Sequence, residues 1–266
     1  MNWFQGILYG IVSGLTEFLP ISSSAHQFLM LKLFGIQHTD AVFEFLISLS
    51  ILLAVLFACK STIESVLNGN RVRSRRRKAA SLDFLFVRAS VIPLILCTIL
   101  LMYAVHLVDS FVSIAIFCVV NGGLLFLQGR SLQGNKTAAA MSALDSWIVG
   151  CLYALSHFSG ISGIAVVTTY GIIRGCERER VLNWALLLSI PALAMKTLFL
   201  FVQIFAAFSA ATFFMYLTYL IAAAFAFAAG YLAITLLRFL AVRTGFSGFS
   251  FYCWGTALFS LFLYLI

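Results

Sequence analysis

A short polar stretch, GLTEFLPISSSAH at residues 14–26, interrupts two strongly apolar runs and carries the groups best suited to chemistry. Glu17 can act as a base or can bind a divalent cation such as Mg²⁺ or Ca²⁺. Ser23 is a candidate nucleophile or phosphate donor, and His26 is a candidate acid–base group or phosphate ligand. Ionisable groups within an apolar segment are costly and indicate function by default. Glu17, Ser23 and His26 are therefore the candidate catalytic residues.

The same stretch predicts a helix break that suits an anion. Pro20 disfavours helical backbone at Leu19, so the first helix should end there. Three serines follow, and each can cap a new helix: Ser22, Ser23 and Ser24. The free N–H groups and positive dipole of a helix start favour phosphate, so with a lipid-facing cleft these parts would suit a lipid phosphatase. The alternative is structural: Glu17 caps backbone N–H groups and His26 faces the lipid headgroups.

Composition places this stretch inside a membrane protein. The chain has 266 residues, of which 62% are hydrophobic and 10% are charged, whereas a soluble domain carries roughly a quarter charged residues. A spanning helix needs about 20 apolar residues, and we predict one all-α integral membrane domain over 1–266 with six full spans: 41–59, 84–107, 111–128, 184–206, 210–241 and 249–266. Two apolar segments, 2–36 and 146–175, are interrupted, and we expect each to be a re-entrant pair of half-helices.

The placement of positive charge agrees with this topology. If both interrupted segments are re-entrant, one side holds fourteen of the seventeen Lys and Arg residues, in the loops 60–80, 129–145, 174–183 and 238–249. The loops predicted for the opposite side hold none, so the basic side is predicted to be cytoplasmic. One loop holds six basic residues, which this rule explains better than nucleic-acid binding and which can also contact anionic lipid: Arg71, Arg73, Arg75, Arg76, Arg77 and Lys78.

The chain also repeats internally. GIVSGLTEFLPISSSA at 10–25 matches GCLYALSHFSGISGIA at 150–165 at six positions, and both stretches contain the interruption. Each half then has one interrupted segment and three spans, so the second half, 140–266, is inverted relative to the first, 1–135. Inverted repeats with broken helices in corresponding places are typical of transporters, with a site near the membrane midplane.

Other polar residues are weaker candidates. Glu44 lies near the start of a span and either lines a cavity around the polar break or lies at the membrane–water interface. Arg88 is expected to pair with Asp83 or to reach the basic side rather than enter the cavity. Lys196 lies in mid-span and is either a cavity residue or extends to the membrane surface. His157 matches the candidate base in the repeat, and we favour a structural hydrogen bond there over chemistry.

These motifs resemble those of the undecaprenyl pyrophosphate phosphatase family, once called bacitracin-resistance proteins. GLTEFLPISSSAH is similar to the family's first signature, and GCLYALSHFSGISG…GIIRG occupies the place of its second. FEFLISLSILLAVL and LLLSIPALA resemble the helices that follow, so the likeness covers nearly the whole chain. It implies the inverted-repeat fold, a bacterial inner-membrane location, often a homodimer, and an outward-facing cleft. In that cleft the pyrophosphate of the polyprenyl lipid carrier of cell-wall synthesis is cut.

The resemblance and the local pattern together select further site residues. The phosphate-binding candidates come from both signatures: Ser22, Ser24, Gly160 and Ser162. The candidates for lining the cavity are Ser13, Glu44, His157 and Thr168. The ligands of any metal are left open, with Glu17 as one candidate.

The chain departs from the family pattern at functional positions. A second acidic residue usually lies four before the retained Glu, where this chain has Ser13. The family's phosphate-binding Arg falls at Gly163, and a Gly cannot reproduce a bidentate guanidinium. The family's Thr falls beside Thr168. We expect none of three other cations to be well placed to replace the Arg: Arg88, Arg174 and Lys196.

We therefore predict a phosphatase-like membrane protein that acts on a polyprenyl pyrophosphate and, if active, hydrolyses it to the monophosphate. One alternative is a non-hydrolytic polyprenyl-phosphate transporter or flippase, which an inverted repeat would suit. Another is an inactive paralogue that partners an active phosphatase. The expected partners are the lipid and the bilayer, and not nucleic acid.

Overall fold

The computed structural model describes five stretches of the chain: 1–67, 75–105, 109–132, 134–206 and 213–265. Within them the protein is helical almost throughout and has no strand, only an isolated bridge between Lys136 and Cys176. The helices of the described part are α1 (Trp3–Phe18), α2 (Ser23–Leu33), α3 (Ala41–Ala58), α4 (Lys60–Leu67), α5 (Arg75–Val105), α6 (Phe111–Arg130), α7 (Ala143–Ala154), α8 (Gly163–Ile173), α9 (Arg178–Ala206), α10 (Phe213–Arg243) and α11 (Phe249–Leu265).

Five helical stretches are long and apolar enough to cross a membrane: Ala41–Ala58, Leu82–Leu101, Phe111–Arg130, Arg178–Phe205 and Phe214–Arg243. They correspond to five of the six predicted spans, although 106–107 and 210–212 lie outside the described residues. The sixth prediction, 249–266, corresponds to α11, an apolar helix of 17 residues. The prediction of an all-α protein with several membrane-spanning helices is therefore confirmed.

The most basic segment is partly helical, in contrast to the predicted loop. α5 begins at Arg75, so the run RRRK at 75–78 forms its first turn. Arg71 and Arg73 lie outside the described residues. Arg, Lys and Ala favour helix, and no Gly or Pro between 75 and 80 stops it.

Both interrupted segments fold back on themselves as helical hairpins. α1 ends at Phe18, as the proline predicts, and α2 begins at Ser23 and returns along α1. Gln27 of α2 accordingly donates to Ser13 Oγ of α1 at 3.1 Å. α7 and α8 form the second hairpin, around a break at 155–162. The two breaks therefore lie where the sequence predicts them.

The open end of the second hairpin is closed by Asp145, at the start of α7. Its carboxylate accepts from the Tyr170 hydroxyl at 2.5 Å and pairs with Arg174 Nε at 3.0 Å, both near the end of α8. Burial raises the pKa of Asp145, but hydrogen bonds from Tyr170, Ser142 and Arg174 outweigh burial and hold that pKa well below its usual range. The two ends of this segment thus lie side by side.

Close helix contacts join the two halves of the chain, since α1 packs on α10 and α7 packs on α5. Gly10 and Gly14 face α10 so closely that a Cβ on Gly14 would lie 2.2 Å from the Ala226 carbonyl oxygen. A Cβ on Gly150 of α7 would lie 2.2 Å from the Ser90 carbonyl oxygen. Small residues allow such close approach in membranes. Gly10 and Gly150 are matched in the repeat, so equivalent positions make equivalent contacts.

Two arginines from the predicted basic loops join neighbouring helices. Arg180 pairs with Asp83, which links the start of α9 to α5. Arg238 donates to the Ala58 carbonyl oxygen at 3.0 Å, which links α10 to the end of α3. Of the two alternatives predicted for Arg88, pairing with Asp83 does not occur, because Arg180 takes that carboxylate. Arg88 is exposed on α5 and does not line the cavity described below, as expected.

Candidate active site

The two helix breaks contact each other. Ser22 Oγ accepts from the backbone N–H of Gly160 at 2.9 Å. Asn121 of α6 is buried between the breaks, where its amide donates to the Pro20 carbonyl oxygen and its side-chain oxygen accepts from the Ser162 N–H, both at 2.9 Å. One side chain therefore satisfies a backbone group from each break.

A cavity of about 300 Å³ lies beside this contact. Six polar side chains from the two breaks line it: Glu17, Ser23, Ser24, Ser156, His157 and Ser159. One face of α9 completes the wall, and Lys196 lies on that face. Asp109, just before α6, also lines it and is exposed. Cavities of roughly 300 Å³ or more commonly hold small ligands.

Glu17 and Ser23 form the chemically competent pair of the cavity. Glu17 is the penultimate residue of α1 and Ser23 is the first residue of α2. The break brings them together, and the Ser23 hydroxyl donates to Glu17 Oε2. A serine hydrogen-bonded to a carboxylate is the arrangement of a nucleophile beside its base.

His26 lies outside this cavity, although it follows Ser23 by less than a turn of helix. Its Nδ1 lies 2.7 Å from the Ser22 carbonyl oxygen, which only accepts, so Nδ1 is the protonated nitrogen. Its Nε2 lies 2.8 Å from the Tyr252 hydroxyl of α11 and can accept from it. The ring stacks on Tyr252 and faces an apolar groove between α1, α2 and α11. The structure thus separates His26 from the Glu17–Ser23 pair.

Three of the four predicted phosphate ligands hold the breaks together instead of lining the cavity. Ser22 is the N-cap of α2 but makes no side-chain cap, because its hydroxyl accepts from Gly160. Ser162 caps α8 by accepting from the Ala165 N–H at 3.4 Å, and its own N–H is bound by Asn121. The fourth, Ser24, lines the cavity.

Of the four residues predicted to line the cavity, His157 does so. Its Nε2 lies 3.2 Å from Thr98 Oγ1, a structural hydrogen bond of the kind we favoured. The other three bond elsewhere. Ser13 accepts from Gln27, Glu44 accepts from the Tyr9 hydroxyl at 2.6 Å, and the Thr168 hydroxyl donates to its own helix.

The expectation that no other cation would reach the site is wrong for Lys196. This residue lines the cavity, whereas Arg174 pairs with Asp145 at the basic end and Arg88 is exposed on α5. Of the two alternatives predicted for Lys196, the structure therefore favours a cavity residue over a side chain that extends to the membrane surface.

Asn121 is the main site residue that the sequence reasoning missed. It is fully buried within α6, one of the membrane-spanning helices. A buried amide in an apolar span must find hydrogen-bond partners, and that signal could have singled it out.

Glu17 fits a role as one ligand of a divalent cation. The described residues include no group of three or more His, Cys, Asp and Glu side chains that could hold a metal ion. Mg²⁺, however, is often bound by one or two carboxylates and completes its shell with substrate phosphates and water. Glu17 lines the cavity where such phosphates would lie.

Comparison with known proteins gives one consistent result. Residues 6–259 match the model of the family described as bacitracin resistance protein BacA. An undecaprenyl-diphosphatase of Desulforapulum autotrophicum is 27% identical over 277 residues that cover 98% of each chain. Proteins of the same name from Chlorobaculum parvum (30% over 257 residues, 89% of this chain and 88% of the relative) and Pelotomaculum thermopropionicum (32% over 200 residues, 75% of each) are also similar.

Proposed function

The chain belongs to the bacitracin resistance protein BacA family, and from that premise we propose that it is a phosphatase of undecaprenyl diphosphate. The observation that carries the proposal is the Ser23 hydroxyl hydrogen-bonded to the Glu17 carboxylate inside a cavity between the helix breaks. Relatives similar over most of their length are named for this activity. The transporter and inactive-paralogue alternatives have no comparable support.

In the proposed reaction Ser23 Oγ attacks the terminal phosphorus of the diphosphate. Glu17 accepts the hydroxyl proton, the P–O bond to the bridging oxygen breaks, and Glu17 passes the proton to the departing lipid monophosphate. Glu17, ionised again, then takes a proton from the water that attacks the phosphoserine, so that inorganic phosphate leaves and the Ser23 hydroxyl is restored. Ser24 supplies a further hydroxyl donor to the phosphate oxygens.

His26 is proposed as a positioning residue rather than as the acid–base group first predicted. Its Nδ1–H donates to the Ser22 carbonyl oxygen and so fixes the backbone one residue before Ser23. An acid–base role would require the ring to break this bond and the one to Tyr252.

The divalent cation remains a proposal. It would bind Glu17 and the diphosphate oxygens and would neutralise charge on the phosphoryl group. Chelation with EDTA should then abolish phosphate release, and added Mg²⁺ or Ca²⁺ should restore it. Unchanged release in EDTA would remove the cation from the proposal.

We further propose six spans and two re-entrant hairpins in a bacterial inner membrane, with the basic end cytoplasmic. The side-by-side ends of the second hairpin, joined by Arg174 and Asp145, and the helix contacts of Arg180 and Arg238 support this placement. The cavity then opens outward, toward Asp109 and Gln203. The inverted-repeat boundaries and a homodimer belong to the same proposal, which native mass spectrometry and cysteine labelling from either side would test.

Phosphate release from undecaprenyl diphosphate by the purified protein is the direct test. Glu17→Ala should lower the rate by about 10²–10⁴-fold, the usual contribution of a general base. Ser23→Ala should lower it at least as far. Glu64→Ala, on the exposed α4, is a matched control that should leave the rate unchanged. Release that is absent in the parent, or equal in parent and Glu17→Ala, would refute the enzymatic function.

A further inference from the structure

The place of the family's phosphate-binding Arg is closed to a side chain in this protein. The resemblance puts that Arg at Gly163, the first residue of α8. A Cβ on Gly163 would lie 2.8 Å from Cζ of the Tyr153 ring, and Tyr153 itself lines the cavity. Tyrosine thus occupies the space through which a side chain from Gly163 would reach the site, so a cation must come from another element.

Lys196 reaches the same cavity from α9. The α9 residues that line the cavity recur with the helical period, so they form one face of the helix: Ala192, Leu193, Lys196, Phe199, Leu200 and Gln203. Lys196 is the only cation on that face and lies within a span, about 15 Å along the axis from the end of α9 at Ala206. A lysine held there is costly unless it meets an anion.

The Lys196 ammonium is available for a ligand. Among the described residues it takes part in no salt bridge and no side-chain hydrogen bond, in contrast to Arg174 and Arg180, whose partners are Asp145 and Asp83. Glu17, on the cavity wall formed by the first break, accepts from Ser23. The cavity, which Asp109 also lines, therefore presents a nucleophile and base on one wall and, on another, an ammonium group without a salt bridge in the described part of the chain.

We propose that Lys196 is the phosphate-binding cation of this site and replaces the guanidinium that the family carries at the position of Gly163. The proposal rests on the proposed function for its substrate class, a polyprenyl diphosphate. Lysine contributes a compact point charge, whereas arginine offers a planar fork. It can pair with the terminal phosphate and offset the charge that develops as the bridging oxygen leaves.

A binding measurement tests this separately from hydrolysis. Ser23→Ala protein in detergent is titrated with farnesyl diphosphate by calorimetry, alone and with Lys196→Met, Lys196→Arg or Lys32→Met added. A lost charge-assisted contact should weaken binding about ten- to a hundredfold in Lys196→Met. Lys196→Arg should retain most of the affinity. Lys32, near the end of α2 and over the Phe28 ring, is the matched control and should have no effect.

Two further ligands identify what Lys196 recognises. Inorganic pyrophosphate should show the same dependence on Lys196 if it binds, whereas farnesol should show none. Equal farnesyl diphosphate affinity with and without Lys196→Met would overturn the proposal, and so would an equal loss for farnesol. Thermal unfolding of each variant separates loss of binding from loss of fold.

The proposed function and this inference fail in different ways. Diphosphate binding that depends on Lys196, without any phosphate release, would refute the phosphatase function but support the assignment of Lys196 as the phosphate-binding cation. Phosphate release at the parental rate by Lys196→Met, with Glu17→Ala inactive, would keep the phosphatase and overturn the assignment.

Discussion

Replacing Asn121 with leucine should destabilise the fold and disable the site together. The asparagine donates to the Pro20 carbonyl oxygen and accepts from the Ser162 N–H, so it is the side chain that ties both helix breaks to α6. Leucine is similar in size and apolar, and it leaves both backbone groups without a partner. Neither group can turn to water at this depth.

The magnitude follows from those two bonds. A hydrogen bond between membrane helices contributes about 0.6–1.7 kcal/mol, and a buried backbone group left unsatisfied costs about 1–3 kcal/mol. Two such groups give an expected loss of about 2–6 kcal/mol in the free energy of unfolding. Phosphate release should fall as well, since the breaks carry the Glu17–Ser23 pair.

The buried thiols provide the assay. The chain has six cysteines, all free, and four of them are buried, so increased labelling by a thiol-reactive fluorophore reports unfolding in detergent as denaturant or temperature rises. Asn135, exposed in the segment after α6, is the control, and Asn135→Ala should change the free energy by less than about 0.5 kcal/mol. A change equally small for Asn121→Leu would refute the idea that Asn121 holds the breaks together.

Three other predictions concern the scaffold. Gly14→Ala should force α1 away from α10 and destabilise by about 1–3 kcal/mol, while Gly123→Ala, which adds a Cβ in open space, should not; equal thermal stability of the two variants would contradict the packing. The pKa of Asp145 is depressed in the folded state, so the ionised carboxylate stabilises the fold. This stabilisation is complete above the ordinary aspartate pKa of about 4 and is lost progressively as the pH falls below that value. The unfolding temperature of the parent should therefore fall between pH 7 and pH 3, and it should fall less in Asp145→Asn. Cys97 Sγ and Cys151 Sγ lie 3.3 Å apart, so mild oxidation should join this pair before any other, as peptide mass mapping would show.

The parts of the fold that depend on neighbouring residues could be predicted from the sequence. Pro20 restricts the residue before it, so the end of α1 followed from local sterics. Five spans followed from length and hydropathy, because a bilayer requires both.

The orientation of site side chains could not be predicted in the same way. His26 faces Tyr252, which lies 226 residues away in the chain, and no local pattern indicates that contact. Lys196 lies in a helix apolar on every side, so the sequence does not indicate which face of α9 meets the cavity. Ser22 was predicted to cap a helix and to bind phosphate, but its hydroxyl accepts a hydrogen bond from Gly160 of the other break. Each outcome depends on how distant helices pack.

The interlocking of the halves has a consequence for biosynthesis. The packing surface for Gly10 lies on α10, around Ala222, which follows it by 212 residues. At about 5–20 residues per second a ribosome needs roughly 10–40 s to make that stretch. Through that interval the first hairpin, with Glu17 and three serines at its tip, exists without the helix on which it packs. We therefore expect this polar tip to need shelter during synthesis until the last quarter of the protein emerges.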